Sequence, residues 1–261
     1  MNCMTQEVKD QSQRPRGGKR VAFFGGSFDP PHLGHLAVAR AARAALGLDT
    51  VLFAPVGAQP LKPSGPTANF EDRVAMTRLA IAGEPAFEVS LADAPKFSGA
   101  PNFTLETLLN LRAELAPDGD LFCLMGADSF FGLRRWHRAA EIPFAAPLIV
   151  ASRPSKSPEL LLAEVKAALP PELTLDPASA SDAALNRGNS GIELRSYLLR
   201  NPAGESAPFY LLPGLDVEIS ASQIRDHIRE QISAAAGDPV SGRQPLPKAV
   251  FNYIRSRGLY R

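Results

Sequence analysis

A chain of 261 residues with 45% hydrophobic and 21% charged side chains is long enough for a substantial core and falls in the ordinary globular class. Its formal charge of +1 excludes a general electrostatic attraction to nucleic acid or membrane surfaces, and no apolar stretch is long enough to span a bilayer. Cys3 lies in a polar tail and Cys123 in an apolar run, which excludes a disulfide scaffold or a thiolate metal cluster.

The polar start, residues 1–19, lacks the apolar segment of a secretory signal and reads as a disordered leader, with the cytoplasm as the default location. Residues 20–261 then read as one domain. Val21–Phe24 forms a short buried strand that ends at Gly25-Gly26. Ser27-Phe28-Asp29-Pro30-Pro31 cannot continue a strand or a helix, because the prolines fix the backbone and remove donors. From about Gly34 the residues Leu36, Ala39, Ala42 and Leu46 recur at helical spacing until Gly47.

Thr50–Ala54 is a second strand, followed by a Pro- and Gly-rich loop from Pro55 to Pro66. Phe70–Ala82 reads as a helix, Phe87–Ser90 as a strand, Thr104–Leu115 as a helix and Leu121–Met125 as a strand ending at Gly126. Pro147–Ala151 adds one more strand. The alternation predicts a Rossmann-like open parallel α/β sheet with helices on both faces and a small C-terminal helical part. Pro158–Ala168 suits a helix, but the region 154–214 as a whole is expected to be a surface excursion. A short strand is expected at Val217–Ile219. Ser220 and Gln223 then have the spacing of a capping box, opening a helix with Ile224, Ile228 and Ile232 on its buried stripe. A last helix lies around Val250, Tyr253 and Ile254.

His32 and His35 stand three apart just after the first strand, which puts both rings on one side of a helix mouth. In an open parallel sheet that mouth faces the crevice where ligands bind. Gly25, Gly26 and Gly34 allow close backbone approach, and free amides at the helix start favour an anion. The assembly suits a polyphosphate. Neither a Gly-x-x-x-x-Gly-Lys-Ser/Thr loop nor a Gly-x-Gly-x-x-Gly fingerprint is present, which leaves kinase and dehydrogenase readings little support.

The run Gly26-Ser27-Phe28-Asp29-Pro30-Pro31-His32-Leu33-Gly34-His35 resembles the signature of the nucleotidylyltransferase superfamily. Within it the chain is similar to bacterial nicotinate-nucleotide adenylyltransferases through five further runs: Pro55–Pro63, Asn102–Leu108, Gly126–Phe130 with Trp136-His137, Ile219–Arg225, and Gly258-Leu259-Tyr260. The resemblance implies attack by the phosphate of nicotinate mononucleotide on the α-phosphorus of ATP, with magnesium accompanying the triphosphate. It also implies that His32, His35 and Arg225 act at the reacting phosphates. Gly25, Gly26, Ser27, Phe28 and Ser222 would complete the ATP site, and Lys62, Phe103, Thr104, Asp128 and Trp136 the acceptor site. The family usually has threonine at Ser27, tyrosine at Phe103 and a Ser-Thr pair at Ala221-Ser222. A hydroxyl survives at Ser27 and Ser222, whereas Phe103 keeps only the ring.

The same chemistry on nicotinamide mononucleotide or a pantetheine phosphate is the near alternative. A nucleotide-binding regulatory module without turnover is the distant one. No long basic patch with interleaved aromatics points to nucleic acid. The excursion leaves open a lid, an oligomer contact or a passive insertion, and a homo-oligomer is left open too.

Overall fold

The computed structural model describes residues 18–61, 65–152, 158–178, 192–214, 220–233 and 245–261. The expected strand at Val217–Ile219 and the leader up to residue 17 therefore lie outside the described residues, as do Lys62 and the side chain of Ile232.

The first strand, β1 (Arg20–Gly26), pairs in parallel with β2 (Thr50–Pro55) on one side and β4 (Asp120–Gly126) on the other. Beyond β2 lies β3 (Phe87–Val89), and beyond β4 lie β5 (Leu148–Ala151) and β8 (Ser206–Leu212), all parallel. Then β7 (Arg195–Arg200) and β6 (Thr174–Pro177) pair antiparallel, giving the eight-stranded order β3-β2-β1-β4-β5-β8-β7-β6. The parallel sheet is as expected and carries an antiparallel edge in addition.

Because successive side chains on a strand point to opposite faces, β1 sends Ala22 and Phe24 into one core and Val21 and Phe23 into the other. The first core is closed by α1 (Leu33–Leu46), α2 (Phe70–Ile81), α7 (Ala221–Ser233) and α8 (Lys248–Arg257). The second is closed by α3 (Thr104–Glu114), α5 (Ile142–Ala145) and α6 (Pro158–Ala168), and the short α4 (Ala127–Phe130) follows β4 directly. Local signals fix the helix ends. Gly47 takes φ 59°, the left-handed cap that glycine adopts without steric cost, and Asn69 accepts the Asp72 amide at the start of α2.

The region 154–214 needs correction. Within it α6 buries Leu161 and Val165, and Phe209, Leu211 and Leu212 of β8 are fully inaccessible in the interior of the sheet. Composition misled here. Pro208 lies inside β8 itself, opposite Leu198, and masks the buried run Phe209-Tyr210-Leu211-Leu212 that follows. Among the described residues no helix is long and apolar enough to cross a membrane.

Chain order runs outward from β1 to β3 in one direction and from β4 to β8 in the other. The sheet therefore has its topological switch point between β1 and β4, where a crevice opens beyond the strands' carboxyl ends.

Candidate active site

Two cavities of about 550 and 680 Å³ lie at this switch point. The smaller one continues from the Phe23, Cys123 and Met125 side of β1 and β4, toward α3. The larger one continues from the Phe24 side, toward α1 and α7. They share Gly25, Gly26, Ser27, Leu61, Asp128 and Ser129 as a common rim.

The larger cavity brings together Gly25, Gly26, Ser27, Phe28, His32, His35, Ser222 and Arg225, the eight residues for which the family resemblance implies an ATP site. His32 sits in extended conformation just before α1, and the two imidazoles stack at 3.7 Å between centroids. The His32 amide donates to His35 Nδ1 at 3.1 Å. An accepting Nδ1 assigns the imidazole hydrogen to Nε2 in the neutral ring. The ring is wedged against Phe28 at 4.9 Å, and burial together with neighbouring His32 holds its pKa well below the usual 6.5. His35 is thus a neutral Nε2–H donor, suited to a phosphate oxygen.

The sign of this shift predicts a stability effect. Folded His35 takes up a proton less readily than the unfolded chain, so stability falls as the pH drops below 6.5 toward the folded value. Denaturation midpoints between pH 7 and pH 5 should show that loss, and His35→Asn should reduce it.

Phe28 is 1% exposed and has φ 46°, a left-handed conformation that costs a bulky residue about 1–3 kcal/mol. Edge contacts with the Phe24 ring at 5.6 Å and the His35 ring hold it there. The next residue, Asp29, is buried and gathers distant segments. Its carboxylate accepts the amides of Thr67 (2.6 Å) and Ala68 (3.1 Å) and the hydroxyl of Tyr260 (2.7 Å). Arg73, 2% exposed on α2, donates to the carbonyls of Ser27 (2.7 Å), Val56 (2.9 Å) and Ala68 (3.3 Å). It thereby ties the ends of β1 and β2 to the loop before α2. Burial lowers its pKa, while the nearby Asp29 charge opposes that shift.

Ser220 and Gln223 form the expected capping box at the start of α7: the Gln223 amide donates to Ser220 Oγ at 3.2 Å and Gln223 Oε1 accepts the Ser220 amide at 3.1 Å. One turn in, Arg225 donates through Nη1 to the Asp29 carbonyl (2.7 Å) and through Nη2 to Ser222 Oγ (3.2 Å). A cation this near a helix N-terminus is opposed by the helix dipole. Here it faces the cavity beside His32 and His35.

The smaller cavity is lined by Phe103, Thr104, Asp128 and Trp136, four of the five residues assigned to acceptor binding; the fifth, Lys62, lies outside the described residues. Phe103 is the residue before α3, and among the described residues no side chain caps that helix start. His137 stacks on Phe103 at 4.4 Å, and Trp136 packs its ring against the second core. Asn102 staples the region, accepting the Ala58 amide at 3.0 Å and donating to the Ala94 carbonyl at 2.9 Å. Thr107 donates to the buried Asp93 carboxylate at 2.8 Å, and burial raises the Asp93 pKa. A Cβ on Gly57 would lie 2.4 Å from the Pro95 backbone, so these two loops touch only because residue 57 is glycine.

Asp29, Arg73 and Tyr260 carry the frame of the site, and sequence reasoning assigned none of them a role. Arg73 had a signal: with Thr77 and Ala80 it follows the buried stripe of α2 at helical spacing. Asp29 and Tyr260 are 231 positions apart, and no local pattern links them.

A family model described as cytidylyltransferase-like matches residues 23–227. A protein of Stenotrophomonas maltophilia named as a probable nicotinate-nucleotide adenylyltransferase is 39% identical, over 92% of this chain and 96% of its own length. One of Trichlorobacter lovleyi, with the same name, is 34% identical over 92% of this chain and 99% of its own length. Among solved structures, Plasmodium falciparum nicotinic acid mononucleotide adenylyltransferase complexed with NaAD shares the fold, with a TM-score of 0.60 at 16% identity, covering 93% of this chain and 97% of its own.

Proposed function

Since the chain belongs to the cytidylyltransferase-like family, we propose that it transfers AMP from magnesium-ATP to nicotinate mononucleotide, releasing pyrophosphate and forming nicotinate adenine dinucleotide. The observation that carries this reading is the pair of cavities with a shared rim. One is equipped with His32, His35, Ser222 and Arg225 for polyphosphate; the other has Phe103, Trp136 and the start of α3 for a ring bearing a carboxylate. A phosphoryl centre at the rim can be reached from both sides.

In that arrangement a phosphate oxygen of the acceptor attacks the α-phosphorus. The bond from the α-phosphorus to the bridging oxygen breaks, and the electron pair leaves with pyrophosphate. An ionised phosphate needs no general base, so the protein supplies position and charge. His35 Nε2–H and the Arg225 guanidinium meet charge that grows on the phosphate oxygens. Among the described residues there is no cluster of three or more His, Cys, Asp or Glu suited to hold a metal ion. Magnesium would accompany the triphosphate and offset its charge, and Asp128 on the shared rim is the carboxylate that would meet its hydration shell.

The names of the relatives support a nicotinate-type acceptor. Uncapped amides at the α3 start would pair with a carboxylate and leave an amide group poorly matched. Pyrophosphate release should be measured with magnesium-ATP and nicotinate mononucleotide, nicotinamide mononucleotide or pantetheine phosphate in separate reactions. Strong preference for the nicotinate substrate is expected. Preference for another acceptor would overturn the substrate assignment, and ATP binding without release on any acceptor would favour a regulatory module.

Trp136→Ala should raise KM for the acceptor between about two- and tenfold, the value of one aromatic contact, and leave KM for ATP unchanged. Equal effects on both substrates would remove Trp136 from the acceptor site.

A further inference from the structure

We propose that Tyr260, in the turn after α8, is a positioning residue for ATP: by donating to Asp29 it keeps that carboxylate from capturing Arg225. This rests on the assignment of the larger cavity to ATP.

A carboxylate offers about four lone-pair positions, two on each oxygen. Asp29 Oδ1 takes the Ala68 amide and the Tyr260 hydroxyl, which fills it, and Oδ2 takes the Thr67 amide. Arg225 Nη1 stands 3.8 Å from Oδ2, beyond hydrogen-bond reach, and donates to the Asp29 main-chain carbonyl instead. The guanidinium consequently lies against the cavity wall in an ion pair with Asp29 but without a hydrogen bond to its carboxylate, and its Nε has no hydrogen-bond partner among the described residues. Without the Tyr260 hydroxyl, Asp29 would have an open position on each oxygen. That is the geometry in which a carboxylate takes an arginine through two parallel bonds. A bound arginine of that kind competes with phosphate for the same donors.

Tyr260 is built to donate continuously. It is 5% exposed, and burial beside Asp29 pushes its hydroxyl pKa upward, so it remains protonated at every working pH. Its backbone has φ 64°, and Gly258 before it has φ 62°. The chain thus turns through two left-handed residues to bring this side chain under the catalytic turn. The Tyr253 hydroxyl meanwhile donates to Asp72 at 2.8 Å and secures α8 on α2 independently.

Tyr260→Phe keeps the ring in the core and deletes the donor. Binding of a non-hydrolysable ATP analogue should weaken about three- to tenfold by calorimetry, and KM for ATP should rise in parallel. Acceptor KM and kcat should stay close to wild type, and the melting temperature should fall no further than the loss of one buried hydrogen bond explains. In an Arg225→Ala background the same substitution should have no further effect on the analogue, because the arginine to be captured is gone. Unchanged affinity in Tyr260→Phe, additive losses in the double variant, or a joint fall in ATP and acceptor affinity would each overturn the inference and leave the proposed function standing. Absence of analogue binding to the unmodified chain would overturn both.

Discussion

Replacing His35 with asparagine is expected to lower kcat by about two to three orders of magnitude, the usual cost of deleting a donor aimed at transition-state charge. The choice of asparagine separates two roles of the ring. Nδ1 caps the turn by accepting the His32 amide, and an asparagine carbonyl at the same helical position can accept that amide. His35 lines the cavity, and Nε2–H is the donor left to it there, which asparagine lacks. Binding of ATP should weaken much less than turnover, because a group acting on developing charge contributes little to the ground state. Single-turnover measurements with saturating ATP would show it. If kcat fell less than tenfold, His35 would be a cap alone. Since the folded His35 pKa is depressed, the wild-type rate should carry no titration of this ring between pH 6.5 and 8. It should decline only at lower pH, as Nδ1 is protonated and the bond to the His32 amide is lost.

Arg73→Met is expected to destabilise the fold by about 3–5 kcal/mol. The side chain is inaccessible and serves three main-chain carbonyls from three segments. Methionine fills much of the volume but leaves those acceptors unsatisfied, at about 1–3 kcal/mol each before relaxation. Urea titration would measure the loss. Arg73→Lys should recover only part of it, because an ammonium lacks the planar fork that reaches Ser27 and Val56 together. Both variants should also weaken ATP binding, since Ser27 is on the rim. A cost under 1 kcal/mol would mean that water can replace the guanidinium in this position.

The elements that build the switch point were legible in the sequence because local rules agree there. Gly25-Gly26 ends β1, Gly47 ends α1 in the left-handed conformation it was expected to supply, and Ser220 with Gln223 marks the start of α7. His32 and His35 could be placed on one cavity wall from their spacing alone. What could not be read depends on partners distant in sequence. Leu199 in β7 is buried between β6 and β8 against the second core, and β8 is recognisable only once β5 is known to be its neighbour. Arg73 lies on the buried stripe of α2, but its three carbonyl partners come from segments that only the fold brings together. Asp29, whose neighbours in sequence are a phenylalanine and a proline, gives no hint of the Tyr260 hydroxyl.

The common rim of the two cavities has a consequence for kinetics. A molecule long enough to cross Gly25, Ser27 and Asp128 occupies both halves. It gives up its translational freedom once, and its second half then meets its cavity at an effective concentration set by the tether. Joining two modest ligands in this way raises affinity by about 10²–10⁴-fold with no new contact. The dinucleotide formed by the proposed reaction is such a tethered molecule, whereas each substrate fills one half. Departure of the dinucleotide should therefore be slower than that of either substrate. If the proposed reaction holds, the same avidity favours a non-reactive bridge between an adenosine and a pyridine nucleoside as an inhibitor.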